Sequence, residues 1–192
     1  MSLILASASP RRSELLRNAG IRFAVEPAHV PERRAHDESP ADYAKRLARD
    51  KAVAVFERNP GSAVLGADTV VVANEHLLEK PIDARDADRM LSLLSGRTHQ
   101  VITGVCLVAR GFEQTDAEIT QVVFSPLSPA EIAAYIATGE PMDKAGAYAI
   151  QGMASRWVER IDGCYFNVVG LPVPRVYRMF RRCEAETGMK LL

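Results

Sequence analysis

The chain opens with a short apolar run that breaks into hydroxyl groups, a proline and two arginines, at residues 3–12 (LILASASPRR). Three apolar residues between small ones are typical of a short buried strand. Ser9 followed by Pro10 is typical of a helix start, because serine can cap and proline has no N–H to leave unpaired there. A strand leading into a helix N-terminus presents backbone N–H groups and the positive end of the helix dipole. With Arg11 and Arg12 added, the segment predicts a polyanion site.

The rest of the chain alternates helix and strand patterns early and pairs strands later. We predict strands at residues 22–25, 63–73, 77–80, 99–109 and 113–124, and a hairpin over residues 156–169 around Asp162-Gly163. Helices are predicted after Ser9, Ser39, Asp83, Ser128 and Pro172, with polar or mixed loops at residues 26–38 and 140–152. The pattern predicts a mixed-sheet α/β protein without internal repeats.

Composition narrows the class of protein. Acidic and basic residues balance at 24 each, which argues against a nucleic-acid-coating protein. Three distant cysteines form neither a disulfide framework nor a CxxC metal site. No apolar run approaches a membrane span, and no basic n-region with a cleavage site precedes the first strand. We expect a soluble, cytoplasmic protein with no membrane or nucleic-acid partner, built as one domain over residues 1–192 or as two joined lobes.

Four charged residues are candidates for chemistry. Asp68 lies in an apolar run (AVLGADTVVVA), where an ionised carboxylate is costly unless a cation neutralises it. A metal ion or a nearby lysine would do so, or Asp68 could cap a bend. Glu32 can ligate a metal or form a loop salt bridge. Lys80 could reach a phosphate or be solvated surface, and Lys51 on a charged helix is equally ambiguous.

One segment, residues 143–152 (DKAGAYAIQG), fits no simple helix or strand pattern. Its small residues suggest close approach of a ligand or of another backbone. Gln151 could read a base edge, because an amide offers a donor and an acceptor side by side. The alternative is a tight loop packed under Tyr148. The sequence has no HExxH, Walker or GxSxG motif, and its histidines show no ligand spacing.

Six motifs in the same order resemble the Maf-like nucleoside triphosphate pyrophosphatases. They are SASPRR at residues 7–12, GADTV at 66–70, EKP at 79–81, LSG at 94–96, the segment at 143–152, and GCYFNVVGLP at 163–172. The resemblance spans nearly the whole chain. It implies an elongated mixed β-sheet flanked by helices with a central cleft, similar to the inosine triphosphate pyrophosphatases. It also implies hydrolysis between the α and β phosphates, which yields a nucleoside monophosphate and pyrophosphate.

The resemblance further implies a substrate. Members with an arginine after SxSPR, a threonine after the GAD aspartate and an IQG glutamine look like the branch that acts on dTTP and UTP. Arg12, Thr69 and Gln151 stand at those places. Modified pyrimidine nucleotides would be substrates in a housecleaning role. A nucleotide-sensing regulator of cell division and septum formation is the alternative function, and a homodimer is the implied assembly.

Site roles follow from the same resemblance. Substrate binding is implied for Ser7, Ser9, Arg11, Arg12, Thr69 and Gln151, with catalytic roles for Asp68, Lys80, Glu32 and Lys51. Asp68 and Glu32 would hold Mg²⁺ or Mn²⁺, or Asp68 would accept a proton from the attacking water. The chain departs from the family at Pro31-Glu32, where an acidic pair is common, and at Ala149, where glycine is common.

Overall fold

A computed structural model describes residues 2–192. The strands are β1 (Leu3–Leu5), β2 (Ala24–Val25), β3 (Ala63–Ala73), β4 (His76–Leu78), β5 (Thr98–Ala109), β6 (Phe112–Phe124) and β7 (Val158–Asp162). The helices are α1 (Pro10–Asn18), α2 (Pro40–Phe56), α3 (Ala84–Leu94), α4 (Pro129–Ala137), α5 (Tyr165–Val169) and α6 (Val173–Thr187). Single 3-10 turns cover Glu140–Asp143, Ala145–Ala147 and Met153–Trp157.

The strands form a seven-stranded mixed sheet in the order β2-β1-β3-β5-β6-β7, with β4 paired to β3. Strand β1 is parallel to both β2 and β3, whereas β4 and β7 pair antiparallel with β3 and β6. The predicted α/β class with a mixed sheet flanked by helices is therefore confirmed. Within residues 2–192, none of the helices has the length and apolar character needed to cross a membrane.

The chain divides into two compact units. The first unit comprises the residues up to Asp68 together with Thr103–Glu118 and Gly170–Leu192. The second comprises Thr69–Ile102 and Ile119–Val169. The single domain, the elongated shape and the central cleft stay predictions.

In the first unit, the backbone of helix α2 packs directly against the backbone of the sheet. A Cβ atom on Gly66 of β3 would come within 2.0 Å of the Ala48 carbonyl oxygen, and one on Gly104 of β5 within 2.2 Å of the Ala44 carbonyl oxygen. Only glycine permits such contact. Because Gly66 faces this part of α2, the close approach brings Lys51 near Asp68 in the middle of β3.

Predicted helix caps are present in the structure at Ser39 and Ser128. The hydroxyl of Ser39 accepts from the Asp42 N–H, and Ser128 forms the predicted capping box with Glu131. The predicted cap at Ser9 is wrong, because α1 begins at Pro10 without a side-chain cap. The Ser9 backbone N–H instead donates to the Ser7 hydroxyl (3.3 Å), so the Ser7 side chain orders the turn before the helix.

The predicted hairpin over residues 156–169 is wrong in its second half. Strand β7 forms and pairs with β6, but the chain then turns at Gly163, where φ is +126°, into the short helix α5. The Thr120 hydroxyl accepts from the Cys164 N–H (3.0 Å), and the buried Asn167 amide donates to that hydroxyl (2.9 Å) and to the Val101 carbonyl (3.0 Å). These distant partners favour the helix. By its local sequence alone, the largely apolar segment YFNVV could form either a helix or a strand.

The short hairpin after β3 is shifted from its prediction. The turn is Asn74-Glu75, both with positive φ, and β4 covers His76–Leu78 rather than residues 77–80. As a result Lys80 lies beyond the strand, exposed at a bend.

Candidate active site

A lysine held between two carboxylates forms the centre of the charged cluster in the first unit. The Lys51 ammonium Nζ lies 2.7 Å from Asp68 Oδ1 and 2.7 Å from Glu32 Oε1. The Lys51 and Asp68 side chains are only 11% and 12% exposed, whereas Glu32 is 51% exposed. Of the alternatives for Asp68, the structure shows the lysine pair. The two carboxylates nevertheless converge on one cationic position.

The three members of this cluster come from three kinds of structure. Asp68 belongs to β3, where the apolar residues around it bury its carboxylate. Lys51 projects from α2, and Glu32 belongs to the loop between β2 and α2. A buried ion pair is favourable only when both charges are satisfied. The buried Asp68 carboxylate therefore depends on this ammonium, whereas the half-exposed Glu32 also faces solvent.

Arg12 joins three parts of the first unit by hydrogen bonds. Its Nε donates to the Gly170 carbonyl (2.8 Å), and its Nη1 donates to the Ser7 hydroxyl (2.9 Å) and the Ala67 carbonyl (2.9 Å). Burial lowers the pKa of the Arg12 guanidinium, whereas the negative charge of Asp68 raises it. Arg12 thus has a structural function beside any contact with a substrate.

The start of α1 carries the positive charge that the sequence predicts for an anion site. Arg11 is half-buried in the first turn of this nine-residue helix, next to Arg12. The first turn contains no acidic residue. Ser7 is buried and its hydroxyl is occupied by Arg12 and by the Ser9 N–H. The helix N-terminus and the arginines favour an anion, while the two serines shape the turn.

The donor set of the charged cluster fits one type of metal ion. Among residues 2–192 no group of three or more His, Cys, Asp or Glu side chains could hold a metal. Asp68 and Glu32 offer two carboxylates at one position. Mg²⁺ in phosphate-transfer sites is commonly bound by one or two carboxylates together with water and substrate phosphates. The two carboxylates therefore fit a divalent ion whose other ligands are water or phosphate oxygens.

The remaining candidates belong to the second unit. Thr69 follows Asp68 on β3 and is half-buried, whereas Lys80 and Gln151 are exposed. Gln151 lies on a turn closed by a hydrogen bond from the Gly152 N–H to the Ala149 carbonyl (3.1 Å). The structure thus groups Asp68, Glu32 and Lys51 directly, and places these three on separate segments of the other unit.

His99, whose spacing from the other histidines indicates no role, lies against the 143–152 segment. Its Nε2 lies 2.9 Å from the Tyr148 hydroxyl, and both side chains are buried. The tight loop packed under Tyr148 is therefore present. Burial lowers the pKa of His99 to about 4, which makes the ring neutral at pH 7. No sequence spacing could have indicated this contact between residues 49 positions apart.

Comparison with known proteins gives one consistent result. The Maf-like protein family model matches residues 2–183. A dTTP/UTP pyrophosphatase of Koribacter versatilis is 63% identical over 182 residues, covering 95% of this chain and 94% of that protein. Proteins of the same name from Geobacter sulfurreducens (54%; 95% of this chain, 97% of that protein) and Vibrio cholerae (52%; 89% and 92%) are also similar. The protein therefore belongs to the Maf-like family.

Proposed function

We propose that the protein is a nucleoside triphosphate pyrophosphatase that hydrolyses dTTP and UTP to the nucleoside monophosphate and pyrophosphate. The observation that carries the proposal is the buried Lys51, shared by Asp68 and Glu32, in a chain whose relatives are named dTTP/UTP pyrophosphatases. Such a cluster supplies both a cation for phosphates and carboxylates for a proton or a metal ion.

The triphosphate is assigned to the cationic groups. Arg11 and the N-terminal N–H groups of α1 offer donors to phosphate oxygens, and Arg12 holds the loop that carries them. Lys51 would exchange a carboxylate for a phosphate oxygen when the substrate binds. Lys80 is exposed and adds a further positive charge in this proposal. Positioning and charge neutralisation are the main protein contributions to phosphoryl transfer.

Asp68 and Glu32 are assigned to the attacking water and to Mg²⁺ or Mn²⁺. A bound divalent ion supplies charge neutralisation on the phosphates and acidifies water. The Asp68 carboxylate accepts the proton as the water oxygen bonds to the α phosphorus. The bond from that phosphorus to the bridging oxygen breaks, and pyrophosphate leaves. No covalent enzyme intermediate is needed.

Base selection is assigned to Thr69 and Gln151. The Gln151 amide is exposed and offers a donor and an acceptor, the pattern that a pyrimidine edge can match. The half-buried Thr69 directly follows Asp68 in the chain. A homodimer, and modified pyrimidine triphosphates as additional substrates, belong to the same proposal.

The test is a screen of normal and modified nucleoside triphosphates with Mg²⁺ or Mn²⁺, in which phosphorus NMR identifies the products. We expect pyrophosphate and a nucleoside monophosphate, with dTTP and UTP turned over fastest. Orthophosphate as the first product would contradict the reaction. Tight nucleotide binding with negligible turnover would favour the regulatory alternative.

A further inference from the structure

Two side chains outside the turn hold the backbone on both sides of Gln151. The Tyr135 hydroxyl accepts from the Ala149 N–H (3.2 Å) and donates to Glu140 Oε1 (2.7 Å). The same Glu140 oxygen accepts from the Met153 N–H (3.2 Å). The hydrogen-bonded pair Tyr135 and Glu140 therefore fixes residue 149 and residue 153, and the exposed Gln151 lies midway between them.

Gly152 shows how closely Glu140 approaches this turn. A Cβ atom on Gly152 would come within 2.2 Å of Glu140 Oε1. The backbone of Gly152 has φ −100° and ψ −150°, an extended conformation with negative φ that does not itself demand glycine. The glycine after Gln151 is therefore explained by the space that the Glu140 carboxylate occupies.

Tyr135 and Glu140 are themselves held in place by their surroundings. Tyr135 is fully buried on α4, and its ring meets that of Trp157 edge to face at 5.1 Å. The Lys144 ammonium donates to the Glu140 backbone carbonyl (2.5 Å), which fixes the 3-10 turn carrying Glu140. Burial raises the pKa of the Tyr135 phenol, so the hydroxyl keeps its proton for Glu140. Hydrogen bonds to Tyr135 and Glu140 restrict the backbone from which the exposed Gln151 side chain projects.

We propose that Tyr135 and Glu140 are positioning residues for nucleotide selection, which set the orientation of the Gln151 amide toward the pyrimidine. The inference rests on the proposed function, in which Gln151 reads the base. It goes further by assigning part of the selectivity to two residues that do not contact substrate. Their hydrogen bonds lower the conformational freedom of the turn before the nucleotide binds.

The test compares kcat and KM for dTTP and dGTP in Tyr135→Phe, Glu140→Gln and Gln151→Ala. Tyr135→Phe removes two hydrogen bonds, and at about fivefold per bond we expect KM for dTTP to rise by up to about 25-fold. The preference for dTTP over dGTP should fall by a similar factor, with kcat changed little. Glu140→Gln keeps an acceptor but loses the charge. We therefore expect about a threefold rise in KM for dTTP and a similar fall in the preference for dTTP over dGTP.

Matched controls separate positioning from loss of packing. Glu184→Gln alters a carboxylate that accepts from the Leu191 and Leu192 N–H groups in the other unit, and it should leave nucleotide preference unchanged. Tyr177→Phe removes a half-exposed phenol hydroxyl on α6, in the other unit, and should also leave nucleotide preference unchanged. Gly152→Ala should reproduce the Glu140→Gln phenotype, since its Cβ displaces the carboxylate. If Tyr135→Phe does not fold, Glu140→Gln and Gly152→Ala test the same contact.

The double variant Tyr135→Phe/Gln151→Ala gives the decisive outcome. If Tyr135 acts through Gln151, the double variant has the same dTTP to dGTP preference as Gln151→Ala alone. An additional loss of preference in that background would overturn the inference, and so would an unchanged preference in Tyr135→Phe and Glu140→Gln when Gln151→Ala loses it. A wild-type protein that releases no pyrophosphate overturns the proposed function instead. The two failures are therefore distinguishable.

Discussion

The two regions that carry the candidate residues are built in opposite ways. In the first unit the candidate groups satisfy one another, as Lys51 does between Asp68 and Glu32. In the second unit Gln151 is exposed, and the residues that hold it bind its neighbouring backbone. The charged groups are thus paired with one another, whereas the Gln151 amide is presented to solvent on a restrained turn.

Selectivity in the proposed enzyme resides in the second of these two regions. Every nucleoside triphosphate carries the same phosphates, so changes in the charged cluster should affect all nucleotides alike. Bases differ, so changes at the Gln151 turn should affect nucleotides unequally. Substitutions in the two regions should therefore have different effects on the rates for different nucleotides.

The largest effect is expected from Asp68→Asn. The amide keeps the size of the side chain but can no longer accept a proton as a carboxylate does, so kcat should fall about 10³-fold on every nucleotide. Pyrophosphate release measures it. Asp50→Asn is the matched control, since Asp50 pairs with Arg46 at 3.4 Å and is 36% exposed. Activity above one tenth of wild type in Asp68→Asn would refute the proposed role.

Removal of the shared cation should have the next largest effect. Lys51→Met keeps the length of the side chain but leaves the Asp68 and Glu32 carboxylates without their common partner, and we expect kcat/KM to fall about 10²-fold. Lys45→Met on the same helix removes an exposed pair with Asp42 and should change the rate less than twofold. Equal rates for the two variants would show that the buried cluster has no catalytic importance.

Arg12→Lys should lower stability as well as activity. A lysine cannot reproduce the guanidinium bonds to Gly170, Ser7 and Ala67, so we expect a loss of about 2 to 3 kcal/mol in the free energy of unfolding. Urea denaturation measures this loss. Arg17→Lys on the same helix should cost less than about 0.5 kcal/mol. An unchanged stability for Arg12→Lys would show that its bonds are not structural.

The smallest effect is a pH dependence from His99. Its pKa is about 4 in the folded protein and about 6.5 when unfolded, so the unfolded chain binds the extra proton between these values. Its contribution to stability is complete above pH 6.5 and decreases as the pH falls, by about 2 kcal/mol between pH 7 and pH 5. The free energy of unfolding of His99→Gln, measured by denaturation, should lack this pH-dependent contribution. His36→Gln, at an exposed position, should retain it. A wild-type stability independent of pH in this range would contradict the burial of a neutral ring.

The sequence predicts what depends on neighbouring residues. Ser39 and Ser128 mark helix starts because the cap and its N–H partner lie three residues apart. The sequence identifies Asp68 as a candidate because the apolar residues that surround it are its neighbours in the chain. The same local reasoning fails at α5, where Thr120 and Asn167 decide between helix and strand from a distance.

Contacts distant in sequence account for what could not be predicted in the site. The pairing of Lys51 with Asp68 depends on the backbone approach at Gly66, which no local pattern reveals. Arg12 is predicted to act on nucleotides, but its bond to Gly170 crosses 158 residues. Tyr135 and Glu140 belong to none of the quoted motifs.

The most direct test of the division between charge and base selection is the ratio of kcat/KM for dTTP to that for dGTP, measured in two variants. We predict that Asp68→Asn lowers both rates about equally and leaves the ratio near that of wild type. Gln151→Ala should retain turnover and lower the ratio. A ratio that collapses in Asp68→Asn, or that stays unchanged in Gln151→Ala, would contradict this account.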